Sequence, residues 1–150
     1  MRVLIVHNEA SGFGSDAIYE FQRSLLREGD ECVLRLLSND ATDLGASLLE
    51  DAEEFDLVVI SGGDGTVATL LYLLRGRDVL TCVFPSGTAN LFFANLGNAS
   101  EPASLARACR VGHSVKTDMG EIMWLDEEGL KHLQGFSLMA GVGFDAQLMQ

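Results

Sequence analysis

The stretch Leu57–Leu74 reads LVVISGGDGTVATLLYLL. Leu57–Ser61 is a continuous apolar, β-branched run of strand length, as expected of a strand covered on both faces. Val67, Leu70, Leu71 and Leu74 recur at helical spacing, and Gly76 stands where a helix stop belongs. Between the two lies Gly62-Gly63-Asp64-Gly65-Thr66. Glycines at the carboxyl end of a strand permit a tight turn and bare successive backbone N–H groups. The helix that follows adds the partial positive charge of its N-terminus. Strand, glycine turn and helix in this order predict one unit of a parallel sheet, with a phosphate cradle at its hinge. A plain tight turn with a helix cap has the same spacing. Asp64 is odd for a pure phosphate site: a carboxylate repels phosphate unless a cation intervenes, so it points to Mg²⁺ or to orienting a reacting group.

Working outward, Arg2–His7 (RVLIVH) reads as a buried strand and Asn8–Gly14 as a polar loop. Ile18, Phe21 and Leu25 then fall at helical spacing ahead of Gly29, and Glu31–Leu37 forms a second strand. Leu44, Leu48, Leu49 and Ala52 predict a second helix capped by Thr42 or Asp43. Val79–Phe84 is a fourth strand, and Ser100 is the expected cap of a helix with Pro102 in its first turn and Gly112 beyond its end. Alternating strands and helices with apolar strands predict an α/β fold, a parallel sheet covered by helices. Parallel strands all end on one edge. The loops Asn8-Glu9-Ala10-Ser11-Gly12, Gly62–Thr66 and Pro85-Ser86-Gly87-Thr88-Ala89-Asn90 therefore converge on one crevice, where such sheets bind ligands. Thr88 offers a hydroxyl and Asn90 an amide. None of the three loops is G-x-G-x-x-G or Walker A, and the first lysine is Lys116. A phosphate clamp here must come from backbone, arginine or metal.

After Gly112 the pattern changes. Ser114–Trp124 and Leu130–Val142 read as two strands joined by a turn at Asp126–Gly129, with no helix between them. The chain divides into an α/β nucleotide-binding-type domain over 1–113 and, over 114–150, the beginning of a second, β-rich domain. A possible helix begins at Phe144–Met149, so the expectation is a sequence that ends early in that domain. The alternative is one complete domain with a terminal hairpin docked on the sheet.

Composition bounds the partners. The 150 residues are 47% hydrophobic and 21% charged, which suits a folded core. The net charge of −12 argues against nucleic acid and against a polybasic membrane anchor. No apolar run approaches a membrane span. The three cysteines, Cys32, Cys82 and Cys109, are far apart and lack metal spacing, so reduced thiols in a cytoplasmic protein are expected. The acidity is uneven: residues 43–64 carry seven carboxylates and no Lys or Arg, whereas 65–113 carry four arginines against two carboxylates. The one basic stretch includes Thr66 and the Pro85–Asn90 turn, so the overall charge does not exclude an anionic ligand.

GGDGT, then PSGTAN some twenty residues on, then Thr117-Asp118-Met119-Gly120, resembles the diacylglycerol-kinase catalytic domain, a group that includes bacterial lipid kinases, ceramide kinases and sphingosine kinases. Asn8-x-x-Ser11-Gly12 is similar to that family's N-P-x-S-G loop, with Glu9 in place of proline, and Phe136–Ala146 resembles the segment that opens its second domain. The resemblance implies an N-terminal domain that carries ATP and a β-sandwich that closes over a lipid acceptor. The expected enzyme transfers the γ-phosphate of ATP to a lipid hydroxyl such as that of diacylglycerol, with Mg²⁺. Asn8, Ser11, Gly12, Gly62, Gly63, Asp64, Gly65, Thr66, Thr88 and Asn90 would line the nucleotide site. Asp64 and Asp118 would serve the acidic network at the domain interface as catalytic residues; metal ligands stay unassigned. Leu91 stands where some bacterial members carry an acid, so their metal network does not carry over. The family's general base is a glutamate of the C-terminal half, and no residue here matches it. The expected protein is cytoplasmic and peripheral to the membrane that presents its lipid, with homo-oligomers left open and little activity from these 150 residues alone. A non-catalytic nucleotide-binding fragment, a pseudo-kinase, or an NAD kinase, which shares GGDGT, are the alternatives. The GTAN segment favours the lipid branch.

Other residues read as structural. His7, His113 and His132 are isolated in the sequence, Asp145 suits a helix cap, and Asp126-Glu127-Glu128 suits a solvated hairpin tip. Phe92 and Phe93 are expected in the core rather than against lipid.

Overall fold

The computed structural model describes residues 1–11, 16–38 and 45–140. Four parallel strands, β1 (Arg2–Asn8), β2 (Glu31–Leu37), β3 (Leu57–Gly62) and β4 (Thr81–Pro85), form one sheet in the order β2-β1-β3-β4. The central strands are the most apolar and the most covered: all six residues of β3 and Val3–His7 of β1 are buried. The edge strand β2 is only half-buried. The helices are α1 (Ala17–Arg27), α2 (Asp64–Leu74), the short α3 (Leu91–Leu96) and α4 (Pro102–Val111). The connection from β1 to β2, which carries α1, and the connection from β3 to β4, which carries α2, run in opposite directions along the sheet. Right-handed crossovers therefore place α1 and α2 on opposite faces. The contacts agree, since α1 packs on α4 and α2 packs on the segment that follows β2. Ile18, Phe21 and Leu25 of α1 and Val67, Leu70 and Leu74 of α2 are buried against the sheet, and Phe21 meets Phe84 of β4 with ring centroids 5.3 Å apart. Phe92 and Phe93 are core residues, as expected.

The predicted second helix is not an α-helix. Ala46–Leu49 and Ala52–Glu54 form two separate 3-10 turns. Gly45 has φ +92°, a left-handed conformation that starts the first turn, and a Cβ there would lie 2.9 Å from Leu37 Cδ1. Arg35 then fixes the interval between the turns, donating to the Leu48 carbonyl at 2.8 Å and gripping both oxygens of Asp51 at 2.6 and 2.7 Å. Apolar spacing alone did not reveal these two devices. The expected caps Thr42 and Asp43 lie outside the described residues. At α4 the cap is Glu101, not Ser100: its carboxylate accepts the Ser104 N–H at 2.8 Å.

The last described elements, β5 (Gly120–Leu125) and β6 (Lys131–Phe136), pair as an antiparallel hairpin separate from the parallel sheet. Both are shorter than the sequence suggested. The hairpin turn is closed by Asp126, whose carboxylate accepts the N–H groups of Glu128 (3.0 Å) and Leu130 (2.8 Å) and pairs with His132 at 2.6 Å. β6 rests on α2, where Gly135 lies so close to the Tyr72 ring that a Cβ would fall inside it. The Tyr72 hydroxyl donates to Glu121 of β5. The fold is thus a helix-covered parallel α/β sheet, followed by a small antiparallel sheet that starts a second, β-rich unit. Val142, Asp145 and the Phe144–Met149 segment lie outside the described residues.

Candidate functional site

In the order β2-β1-β3-β4 the chain reverses direction between β1 and β3, and the carboxyl ends of these neighbours open a crevice. The loops after β1, β3 and β4 meet there, held by their own polar groups.

Asn8 closes the first loop on itself and reaches the second. Its side-chain oxygen accepts the Ala10 N–H at 3.0 Å, its carbonyl accepts the Ser11 N–H at 3.0 Å, and its amide donates to Thr66 Oγ1 at 2.8 Å. Ser11 Oγ accepts the Gly63 N–H at 3.2 Å. The second loop is tighter than the motif suggested. Only Gly62 and Gly63 are turn, while Asp64-Gly65-Thr66 already forms the first turn of α2, whose first intrahelical bond runs from the Val67 N–H to the Gly63 carbonyl (3.0 Å). A Cβ on Gly62 would lie 2.6 Å from Thr66 Cβ, so glycine is what lets strand and helix fold back this closely. The helix leaves the N–H groups of Asp64, Gly65 and Thr66 without intrahelical partners, at its positive end.

The third loop is built around Asn90, the one non-glycine residue with positive φ (+49°) among the described residues. Asparagine tolerates this conformation because its amide can bond locally. Here Oδ1 accepts the Gly87 N–H at 2.8 Å and Nδ2 donates to the Gly87 carbonyl at 2.7 Å. The loop is thereby pressed onto the second one: a Cβ on Gly87 would fall on the Gly63 Cα, and the Ser86 N–H donates to the Gly62 carbonyl at 3.3 Å. Thr88 is exposed at the tip.

Asp64 has a task the sequence did not disclose. Its two carboxylate oxygens accept the N–H groups of Leu91 (3.1 Å) and Phe92 (3.0 Å), the first residues of α3. One acid thus ties the start of α2 to the start of α3, satisfying donors that the short helix leaves unpaired. Asp118 is exposed in the segment before β5, and among the described residues no hydrogen bond or ion pair joins it to the glycine turns. Gly12 lies outside the described residues. The structure therefore brings together Asn8, Ser11, Gly62, Gly63, Asp64, Gly65, Thr66 and Asn90, sets Thr88 on their rim, and does not connect Asp118 to them.

Beneath the turns runs a buried polar row that sequence reasoning passed over. His7 Nδ1 lies 2.9 Å from Ser61 Oγ, and Ser61 Oγ lies 2.7 Å from Ser86 Oγ. His7 and Ser61 are register partners on β1 and β3. Burial lowers the His7 pKa below its ordinary value, with the Glu9 charge and the Ser61 backbone opposing.

Among the described residues no three His, Cys, Asp or Glu side chains cluster as metal ligands. Both Asp64 oxygens already hold backbone donors.

The chain is similar to known proteins. The model of the diacylglycerol kinase catalytic domain matches residues 2–122. A diacylglycerol kinase of Mycobacterium tuberculosis (strain CDC 1551 / Oshkosh) is 30% identical over 119 residues, which cover 76% of this chain and 36% of that protein. The same figures hold for the diacylglycerol kinase of strain ATCC 25618 / H37Rv. The crystal structure of a diacylglycerol kinase from Bacillus anthracis str. Sterne aligns with a TM-score of 0.61 at 23% identity, covering 81% of this chain and 43% of that one, a likeness of fold. The chain spans about a third of the length of the curated relatives it matches.

Proposed function

This chain belongs to the diacylglycerol kinase catalytic-domain family, and on that premise we propose that its crevice holds the phosphates of ATP for transfer of the γ-phosphoryl group to a lipid hydroxyl. The observation that carries this reading is the locking of three loops at the switch point, with the unpaired N–H groups of Asp64, Gly65 and Thr66 beside them. Phosphoryl transfer asks a protein mainly for positioning and for charge stabilisation by fixed donors. Backbone N–H groups held by neighbouring loops meet that demand without reorganising. The three loops carry no lysine or arginine, so the N-terminus of α2 is the source of positive potential; Arg75 and Arg77 follow the other end of that helix, and Arg110 pairs with Asp30.

In this reading Asn8, Ser11, Gly62, Gly63 and Asn90 shape the cradle, Gly65 and Thr66 offer backbone donors, and Thr88 contacts the nucleotide from the rim. Gly12 belongs to the same first loop by its place in the sequence. Asp64 holds the α3 turn in register with the cradle, and Asp118 is assigned to the acceptor side. Mg²⁺ is expected to arrive with the nucleotide, on phosphate oxygens and water; no step is routed through a protein metal site. Diacylglycerol or a related lipid alcohol is the proposed acceptor, presented at a membrane surface. Among the described residues no helix is long and apolar enough to cross a membrane.

The test is phosphoryl transfer from labelled ATP to diacylglycerol vesicles by the full-length protein and by its Asp64→Ala variant. Transfer by the parent and its loss in the variant support the assignment. Unchanged turnover in the variant would remove Asp64 from the machinery. Nucleotide binding without transfer by the parent would reduce the function to binding.

A further inference from the structure

His7 is a buried titratable group that the proposed transfer does not use, and it sits one residue before Asn8 at the base of the cradle. It ends a chain of three hydrogen-bonding side chains, His7 Nδ1 to Ser61 Oγ (2.9 Å) to Ser86 Oγ (2.7 Å), that crosses from β1 through β3 to the Pro85–Asn90 turn. Ser61 is fully buried, and among the described residues its hydroxyl bonds these two side chains. Ser86 is half-buried in the turn that borders the crevice, and its hydroxyl keeps a further bonding position.

Such a chain has a polarity. A hydroxyl carries one hydrogen, so the donor at one end fixes the donor at the other. When His7 Nδ1 accepts, Ser61 donates to it and Ser86 donates to Ser61, which leaves Ser86 showing only lone pairs to the crevice. When Nδ1 carries a proton, it donates to Ser61, Ser61 donates to Ser86, and the Ser86 hydrogen is free for an outside acceptor. We propose that His7 is a positioning residue that sets, through Ser61, whether the Ser86 hydroxyl donates or accepts toward an anionic ligand in the crevice. The proposal rests on the reading of the crevice as a phosphate site and names a control on it.

The groups that face the ring are few. Glu9 lies in the loop just beyond it and favours the proton, Tyr19 of α1 meets it edge-on at 6.4 Å between centroids, and Ser61 bonds it from β3. Burial outweighs these and holds the His7 pKa below its ordinary value, so acidification is what brings the ring its second proton. Protonation then turns the row outward, and an anion gains one donor.

The experiment follows Mg²⁺–ATP binding by calorimetry from pH 7.5 to 5 in the full-length protein, its His7→Asn variant and its Ser86→Ala variant. The asparagine amide stands where Nδ1 does but does not titrate. The titration of ATP itself is common to all three proteins and cancels between them. The parent is expected to gain about tenfold in affinity relative to both variants as pH falls, the effect of one hydrogen bond to a charged group. Nitrogen NMR of the His7 ring, which needs no nucleotide, should show Nδ1 unprotonated at pH 7.5 and titrating below the usual histidine value. Parallel pH profiles in parent and variants, or a ring already protonated at Nδ1 at pH 7.5, would overturn the proposal. Absence of nucleotide binding at every pH would instead overturn the phosphate-site reading, and the ring titration would still report on His7.

Discussion

The carboxyl edge of the parallel sheet and the β5–β6 hairpin are built on opposite plans. At the sheet edge each loop is bonded to another: Asn8 to Thr66, Ser11 to Gly63, Ser61 to Ser86, Asp64 to the start of α3. In the hairpin most large apolar side chains face outward, Leu125 at 64% exposure and Met123 at 54% among them. One helix supports it, through Gly135 against Tyr72 and Tyr72 against Glu121. The first region is rigid because its polar groups satisfy one another over buried strands. The second depends on a single close approach, and a lone two-stranded ribbon is marginal in water.

The sharpest break in this contrast is Gly87→Ala. The added methyl meets backbone at Gly63 and lies 3.0 Å from Asn90 Oδ1, neither of which can yield as a flexible side chain does. A loss of about 2–3 kcal/mol in chemical denaturation is expected, the upper range for overpacking, together with weakened nucleotide binding. A neutral result would mean that the two turns do not depend on their contact. Asp64→Ala should cost about 1–2 kcal/mol, because it strips the cap from α3 and leaves the Leu91 and Phe92 N–H groups unpaired.

Gly135→Ala should act on the other side of the comparison. The methyl falls on the Tyr72 ring, so hydrogen exchange should quicken across β5 and β6 while β1 and β3 keep their protection. Equal loosening of both regions would show that they unfold as one. The smallest effect is electrostatic. The Arg35 fork holds the Asp51 carboxyl at about 2, below its usual 3.8. The pair's contribution is complete above about pH 4 and is lost as pH falls through about 2. Parent and Asp51→Asn should therefore differ at neutral pH and converge in strong acid; because the pair is only part-buried and solvent screens it, the difference should be small.

Much of this was legible in the chain. The apolar runs of β1 and β3 and the spacing of Ile18, Phe21 and Leu25 stated their elements because burial on a regular period leaves a regular mark. The convergence of the three loops followed from parallel strands ending on one edge. The 3-10 turns after β2 did not show, because Gly45 and the grip of Arg35 on Asp51 outweighed a helical apolar spacing. The role of Asp64 was hidden because its partners lie 27 and 28 residues away. His7 looked like an isolated histidine because a polar row across two strands and a turn has no period in the sequence.

The central claim is that the crevice at the β1/β3 switch holds nucleotide phosphates. Backbone amide NMR of the full-length protein titrated with Mg²⁺–ATP tests it most directly. The largest shifts are expected at Asn8, Gly63–Thr66 and Gly87–Asn90, with the amides of β5 and β6 little moved. Saturable binding whose shifts spare the glycine turns would contradict the account.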